Sequence, residues 1–187
     1  MSHSTVILAS ASPRRCVALQ RAGFAPLVRP VDVDESHNSG EGAVALVERL
    51  AQAKAASIDQ PEYPVLAGDT VVSLQQQLLG KPVDSKDARR MLESLSGREH
   101  QVTSGWCIRW GSEAQVGHVV TLVRFKSLSS SQIDAYLETA EPFDKAGAYG
   151  IQGQGRALVE EVRGSWSNVV GLPLCPVVRL LRELTER

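Results

Sequence analysis

The run Val65-Leu66-Ala67-Gly68-Asp69-Thr70-Val71-Val72-Ser73-Leu74 constrains the fold more than any other stretch of the chain. Apolar side chains fall on both of its alternations, the pattern of a central strand buried on both faces. Asp69 breaks that pattern. A carboxylate inside such a strand is costly unless it is ion-paired, hydrogen-bonded or bound to a cation. Two readings stand: an Asp that caps the end of the strand, or a functional carboxylate. Gly68 just before it suggests a close approach of backbone or ligand.

Around this strand the pattern alternates without regular βαβ spacing, which predicts a mixed α/β fold rather than a doubly wound one. Residues 5–9 read as a strand, 13–22 as a helix closed by Gly23, and 24–30 as extended. A loop over 35–42 leads into a helix over 41–57. Residues 75–77 turn the chain into a short strand ending at Gly80, and 85–96 are helical, with Ala88, Met91, Leu92 and Leu95 at core spacing. Residues 100–110 and 114–125 read as a long antiparallel hairpin. A helix over 130–139, a Gly-rich loop over 141–155, a strand over 157–162 and a closing helix over 175–185 complete the chain. Residues 165–174 read as a turn into a buried segment. At 187 residues the chain is one domain, spanning 1–187, or two lobes sharing a cleft.

Composition narrows the partners. A net charge of −1 gives no global field for nucleic acid or an acidic membrane, so neither is expected. The longest apolar runs are too short to cross a bilayer, and the first residues lack the charged start of a signal peptide. Cys16, Cys107 and Cys175 form no metal-binding or disulfide framework, which fits a reducing cytoplasm.

Several charged residues sit where charge is disfavoured. After the first strand, Ser10-Ala11-Ser12-Pro13-Arg14-Arg15 turns into a helix with Ser12 as an N-cap able to accept from an orphan amide and Pro13 at the first position. Two arginines in the first helical turn oppose the macrodipole. They mark either a solvated basic turn or an anion site in which amides, hydroxyls and guanidinium groups hold a phosphate. Lys54 falls on the apolar stripe of Val47, Leu50, Ala51 and Ile58. It either snorkels to water or points inward at an anion. Lys81 occupies a turn. Asp34-Glu35 is an acidic loop, solvated or able to supply metal-binding carboxylates. The loop Asp144-Lys145-Ala146-Gly147-Ala148-Tyr149-Gly150-Ile151-Gln152-Gly153 combines small residues with an amide suited to the edge of a nucleobase, or is an Ω-loop packed on itself.

These segments resemble the Maf family of nucleoside triphosphate pyrophosphatases: LASASPRR at 8–15, VERLAQAKA at 47–55, AGDTVV at 67–72, LGKP at 79–82, LSGREHQV at 95–102, DKAGAYGIQG at 144–153 and NVVGLPL at 168–174. The resemblance implies an elongated, twisted mixed sheet with two lobes around a deep cleft, similar to inosine triphosphate pyrophosphatases. It implies cleavage between the α and β phosphates and a divalent metal, Mg²⁺ or alternatively Mn²⁺ or Co²⁺. GDT and AYGIQG look like the branch acting on dTTP and UTP. By the same resemblance Asp69 is the catalytic carboxylate, and Arg14, Thr70 and Gln152 stand at positions tied to base choice. Arg15, Lys54, Lys81, Lys145, Ser10 and Ser12 would then serve the triphosphate, and Glu35 with Asp69 the metal. Trp166 stands where the family usually has Tyr. A rival expectation is a non-catalytic nucleotide-binding regulator of cell division and septum formation. A homodimer through an exposed hairpin edge around residues 106–125 is a further expectation.

Overall fold

A computed structural model describes residues 4–59 and 61–185. The fold is mixed α/β. Seven strands form one sheet in the order β2-β1-β3-β5-β6-β7, with β4 added to β3. The strands are β1 (Ser4–Leu8), β2 (Phe24–Val28), β3 (Val65–Leu74), β4 (Gln77–Leu79), β5 (Glu99–Trp110), β6 (Glu113–Phe125) and β7 (Val159–Arg163). The helices are α1 (Pro13–Arg21), α2 (Ala43–Ala56), α3 (Ser85–Leu95), α4 (Ser130–Leu137), α5 (Trp166–Val170) and α6 (Leu174–Thr185). β1 pairs in parallel with β2 and β3; β3–β4 and β6–β7 are antiparallel.

The chain separates into two compact units. The first comprises Met1–Asp69, Ser104–Val119 and Gly171–Arg187. Its strands bury both faces, as the alternation of β3 predicts. Val6, Leu8, Leu66, Trp106 and Ile108 pack with Leu19 of α1 and Val177, Leu180 and Leu181 of α6. The alternate residues Ile7, Val65, Ala67 and Cys107 pack with Ala51 and Ala55 of α2. β5 brings its backbone close beneath α2: a Cβ on Gly105 would lie 2.5 Å from the carbonyl carbon and oxygen of Val47.

The second unit comprises Thr70–Thr103 and Val120–Val170. Its core joins Val72, Leu74 and Leu79 to Ala88, Met91, Leu92 and Leu95 of α3, Ile133 and Tyr136 of α4, and Phe125, Tyr149 and Ile151. His100 is buried here at 2% exposure, edge-on to the rings of Phe125 and Tyr149.

Two expectations are corrected. α2 starts at Ala43, because Glu41 is drawn out of the helix to clasp Arg49 at 2.6 and 2.7 Å and to accept from Asn38 N–H. Residues 166–170 form a short helix where a turn is expected, with the Ser165 hydroxyl accepting from Asn168 N–H at 3.3 Å. In the hairpin, Trp106 of β5 is 7% exposed, and β7 pairs with β6 at Leu122, Val123, Arg124 and Phe125.

Candidate active site

The period of two that buries Val65 and Ala67 against α2 carries Asp69 onto the same face of β3. Lys54 lies on α2 between Ala51 and Ala55 and is buried at 8% exposure. Its Nζ donates to Asp69 Oδ1 and to Glu35 Oε1, each at 2.6 Å. The lysine therefore points inward and does not snorkel. The Asp69 side chain is 15% exposed and that of Glu35 is 50% exposed, so the cluster is dry on the strand side and wet on the loop side. A dry ion pair costs desolvation as well as gaining attraction, so its value for stability is small while the loss of one partner is expensive.

Arg15, in the first turn of α1, closes the other flank. Its Nε donates to the Gly171 carbonyl at 2.8 Å and its Nη1 to Ser10 Oγ at 2.9 Å. Gly68 lies alongside: a Cβ there would stand in ordinary contact, 3.6 Å, with Arg15 Nε and tightly, at 3.1 Å, against the Gly105 carbonyl. Burial lowers the Arg15 pKa from its ordinary value; the charge of Asp69 opposes that, Arg14 adds to it, and Glu35 again opposes it. The first turn of α1 contains no acidic residue, and Arg14 stands there beside Arg15. Ser12 has the extended backbone of an N-cap, but its hydroxyl makes no capping bond, contrary to expectation. The turn is tied instead by Ser10 Oγ, which accepts from Ser12 N–H at 3.2 Å as well as from Arg15.

One unit thus gathers Ser10, Arg15, Glu35, Lys54 and Asp69, two cations and two carboxylates meeting around a strand, a helix start and an acidic loop. Such a set can bind an anion through Arg15 and Ser10 and offer Asp69 to a water or a cation.

The family profile described as Maf-like protein matches residues 5–184. The chain belongs to that family. Relatives named dTTP/UTP pyrophosphatase include those of Chromobacterium violaceum, 46% identical over 95% of this chain and 93% of that protein, and of Anaeromyxobacter dehalogenans, 50% identical over 95% and 92%. The relative of that name from Symbiobacterium thermophilum is 47% identical over 95% of this chain and 93% of its own. The solved structure of the Staphylococcus aureus Ham1 protein shares the fold at a TM-score of 0.51 and 11% identity, covering 97% of this chain and 100% of that one.

The other residues expected from the Maf resemblance lie in the second unit. Thr70 follows Asp69 on β3, and Lys81 is exposed after β4. Lys145 is turned onto its own loop, donating to the Asp144 carboxylate and, at 2.9 Å, to the Glu141 carbonyl. Gln152 is exposed between the buried Ile151 and the exposed Gly153.

Sequence reasoning missed Gly171, whose carbonyl fixes Arg15, and the pair Tyr136 and Glu141. A carbonyl acceptor leaves no mark in a sequence. Glu141 reads as a solvated loop residue, yet its carboxylate accepts from Tyr136 Oη, Gly155 N–H and Gln154 N–H at 3.1, 3.1 and 2.7 Å.

Among the described residues no three His, Cys, Asp or Glu side chains form a metal-holding group. Glu35 and Asp69 nevertheless direct one carboxylate oxygen each at a common point, where the Lys54 ammonium stands. Two hard oxygens fit Mg²⁺, which takes one or two protein carboxylates and completes its shell with phosphate oxygens and water. No described helix is long and apolar enough to cross a membrane.

Proposed function

We propose that this Maf-family protein hydrolyses dTTP and UTP to the nucleoside monophosphate and pyrophosphate. The identity of 46–50% over 95% of the chain to relatives named for that activity carries the reading. The Lys54–Asp69–Glu35 cluster supports it, because hydrolysis needs an ionised carboxylate beside a site rich in positive charge.

In this reading Asp69 aligns a water for attack on the α-phosphorus and takes its proton. The bond from the α-phosphorus to the bridging oxygen breaks, and pyrophosphate leaves with the electron pair. Lys54, 2.6 Å from Asp69 Oδ1, holds the carboxylate aimed. Arg15, Lys81, Lys145, Ser10 and Ser12 hold the phosphates, and positioning of this kind supplies much of the rate in phosphoryl chemistry. Arg14, Thr70 and Gln152 meet the base; a Gln amide complements the N3–H and a carbonyl of uracil or thymine, which cytosine cannot match. A divalent cation on Glu35 and Asp69 would neutralise charge on the triphosphate oxygens. Three free cysteines fit a reducing setting such as the cytoplasm.

Pyrophosphate release, coupled to an inorganic pyrophosphatase and run over all common nucleoside triphosphates, tests the proposal. Turnover of dTTP and UTP well above CTP is the expected result. Nucleotide binding with no pyrophosphate from any of them would replace the enzyme with a sensor.

A further inference from the structure

Within the second unit, the residues on either side of Gln152 are tied to two side chains. Tyr136 Oη accepts from Gly150 N–H at 3.1 Å and donates to Glu141 Oε1 at 3.1 Å. Glu141 Oε1 also accepts from Gly155 N–H at 3.1 Å, and Oε2 from Gln154 N–H at 2.7 Å. One tyrosine and one carboxylate therefore grip the loop before and after residue 152, leaving Gln152 exposed at its tip.

The fit around the carboxylate is close. A Cβ on Gly153 would lie 2.2 Å from Glu141 Oε2, and one on Gly150 would lie 2.7 Å from Glu141 Oε1. These contacts explain both glycines without recourse to unusual dihedral angles. Preceding the gripped segment, Ala148 adopts φ 59°, a region that non-glycine residues visit only when surroundings impose it. Burial raises the Tyr136 pKa well above that of a free phenol, so its hydroxyl keeps the proton that it donates to Glu141.

We propose that Tyr136 and Glu141 form a clamp that sets the position of Gln152 and so fixes which pyrimidine base the site accepts. The proposal rests on the reading of Gln152 as a base-reading residue. Neither clamp residue needs to touch the nucleotide; both act through the loop, as positioning residues. Tyr136→Phe removes the acceptor for Gly150 N–H and the donor to Glu141. Glu141→Gln keeps one acceptor oxygen and turns an NH₂ group toward either Gln154 N–H or Gly155 N–H, which then lacks its acceptor.

Two measurements test it. The first needs no substrate: amide hydrogen exchange followed by NMR. In Tyr136→Phe the Gly150 amide should lose about tenfold or more in protection, and in Glu141→Gln one of the Gln154 and Gly155 amides should do so, the loss expected when a backbone donor forfeits its partner. Amides of α3 should hold their wild-type protection, which separates loosening of the loop from loss of the fold. The second is kinetic. In both variants the preference for UTP over CTP in kcat/KM should fall by about tenfold, through a raised KM for UTP with a smaller change in kcat. A merely structural residue would lower both nucleotides alike. Unchanged amide protection overturns the clamp, and so does an unchanged UTP preference in variants whose loop amides have been freed. A wild-type protein that hydrolyses neither dTTP nor UTP refutes the proposed function instead; the exchange data then still decide whether the loop is clamped.

Discussion

Replacing Lys54 with Met is the most direct probe of the charged cluster. The methionine keeps most of the apolar stem but removes the ammonium from between Asp69 and Glu35. Both carboxylate oxygens are 2.6 Å from that ammonium, so they lie no further apart than twice that distance. At roughly 5 Å and an effective dielectric of 20, two unit negative charges repel by about 3 kcal/mol. The half-exposed Glu35 and the nearby charge of Arg15 screen part of this, leaving about 1–2 kcal/mol. For a chain of this length each kcal/mol moves Tm by about 2–4 °C, so Lys54→Met should melt about 2–8 °C below wild type at pH 7.5. A further signature follows from the same geometry. Added Mg²⁺ should raise Tm more in Lys54→Met than in wild type, because the cation restores the missing charge and no longer competes with an ammonium. Differential scanning fluorimetry without nucleotide reads both. A variant that melts with wild type at pH 7.5 and ignores Mg²⁺ would mean that the two carboxylates do not depend on Lys54, and the site as described would be wrong.

Other perturbations are simpler to state. Asp69→Asn should retain the far-UV circular dichroism of wild type and lose at least about a hundredfold in kcat for dTTP, the scale of a missing general base; near-wild-type turnover would remove Asp69 from the chemistry. His100, whose pKa burial pushes down to about 4, binds a proton more readily in the unfolded chain than in the fold. Stability should therefore fall by about 3 kcal/mol as pH drops from about 6.5 to about 4, and His100→Gln should flatten that part of the pH profile in urea titrations; an identical slope would contradict the burial effect. Gly105→Ala should cost about 1–3 kcal/mol through overpacking against Val47, measured by the same titrations, and a neutral result would show that α2 shifts freely.

Much of this was legible from sequence patterns. The two-faced alternation of 65–74 foretold a strand with both faces packed, and the parity that sends Val65 and Ala67 toward α2 also sends Asp69 there. The position of Lys54 on an apolar stripe pointed to the same face, so the pairing of Lys54 with Asp69 could have been deduced by combining a period of two with a period of 3.6. Glu35 could not, because an acidic loop joined to no periodic element carries no directional signal. Ser12 misled because N-cap chemistry is judged from residue type, whereas the hydroxyl that ties the turn belongs to Ser10. α5 escaped notice because five residues make too short a window for periodicity, and its cap is a serine within a stretch that reads as a turn. The Tyr136–Glu141 clamp was invisible for a different reason: its partners are backbone amides, which every residue but proline possesses.

The bare backbone of Gly105 beneath Val47 acts as a fulcrum. Lys54 lies seven residues further along α2, roughly 10 Å down the helix, so a methyl group inserted at position 105 would tilt the helix and swing the ammonium away from its two carboxylates. A substitution that touches no charged group would then mimic the loss of one. Position 105 is silent in chemistry but lies against the backbone that carries Lys54, and because the atoms a methyl group would meet are the Val47 carbonyl and the Glu48 amide nitrogen, no smaller side chain at Val47 would repair a Gly105 variant.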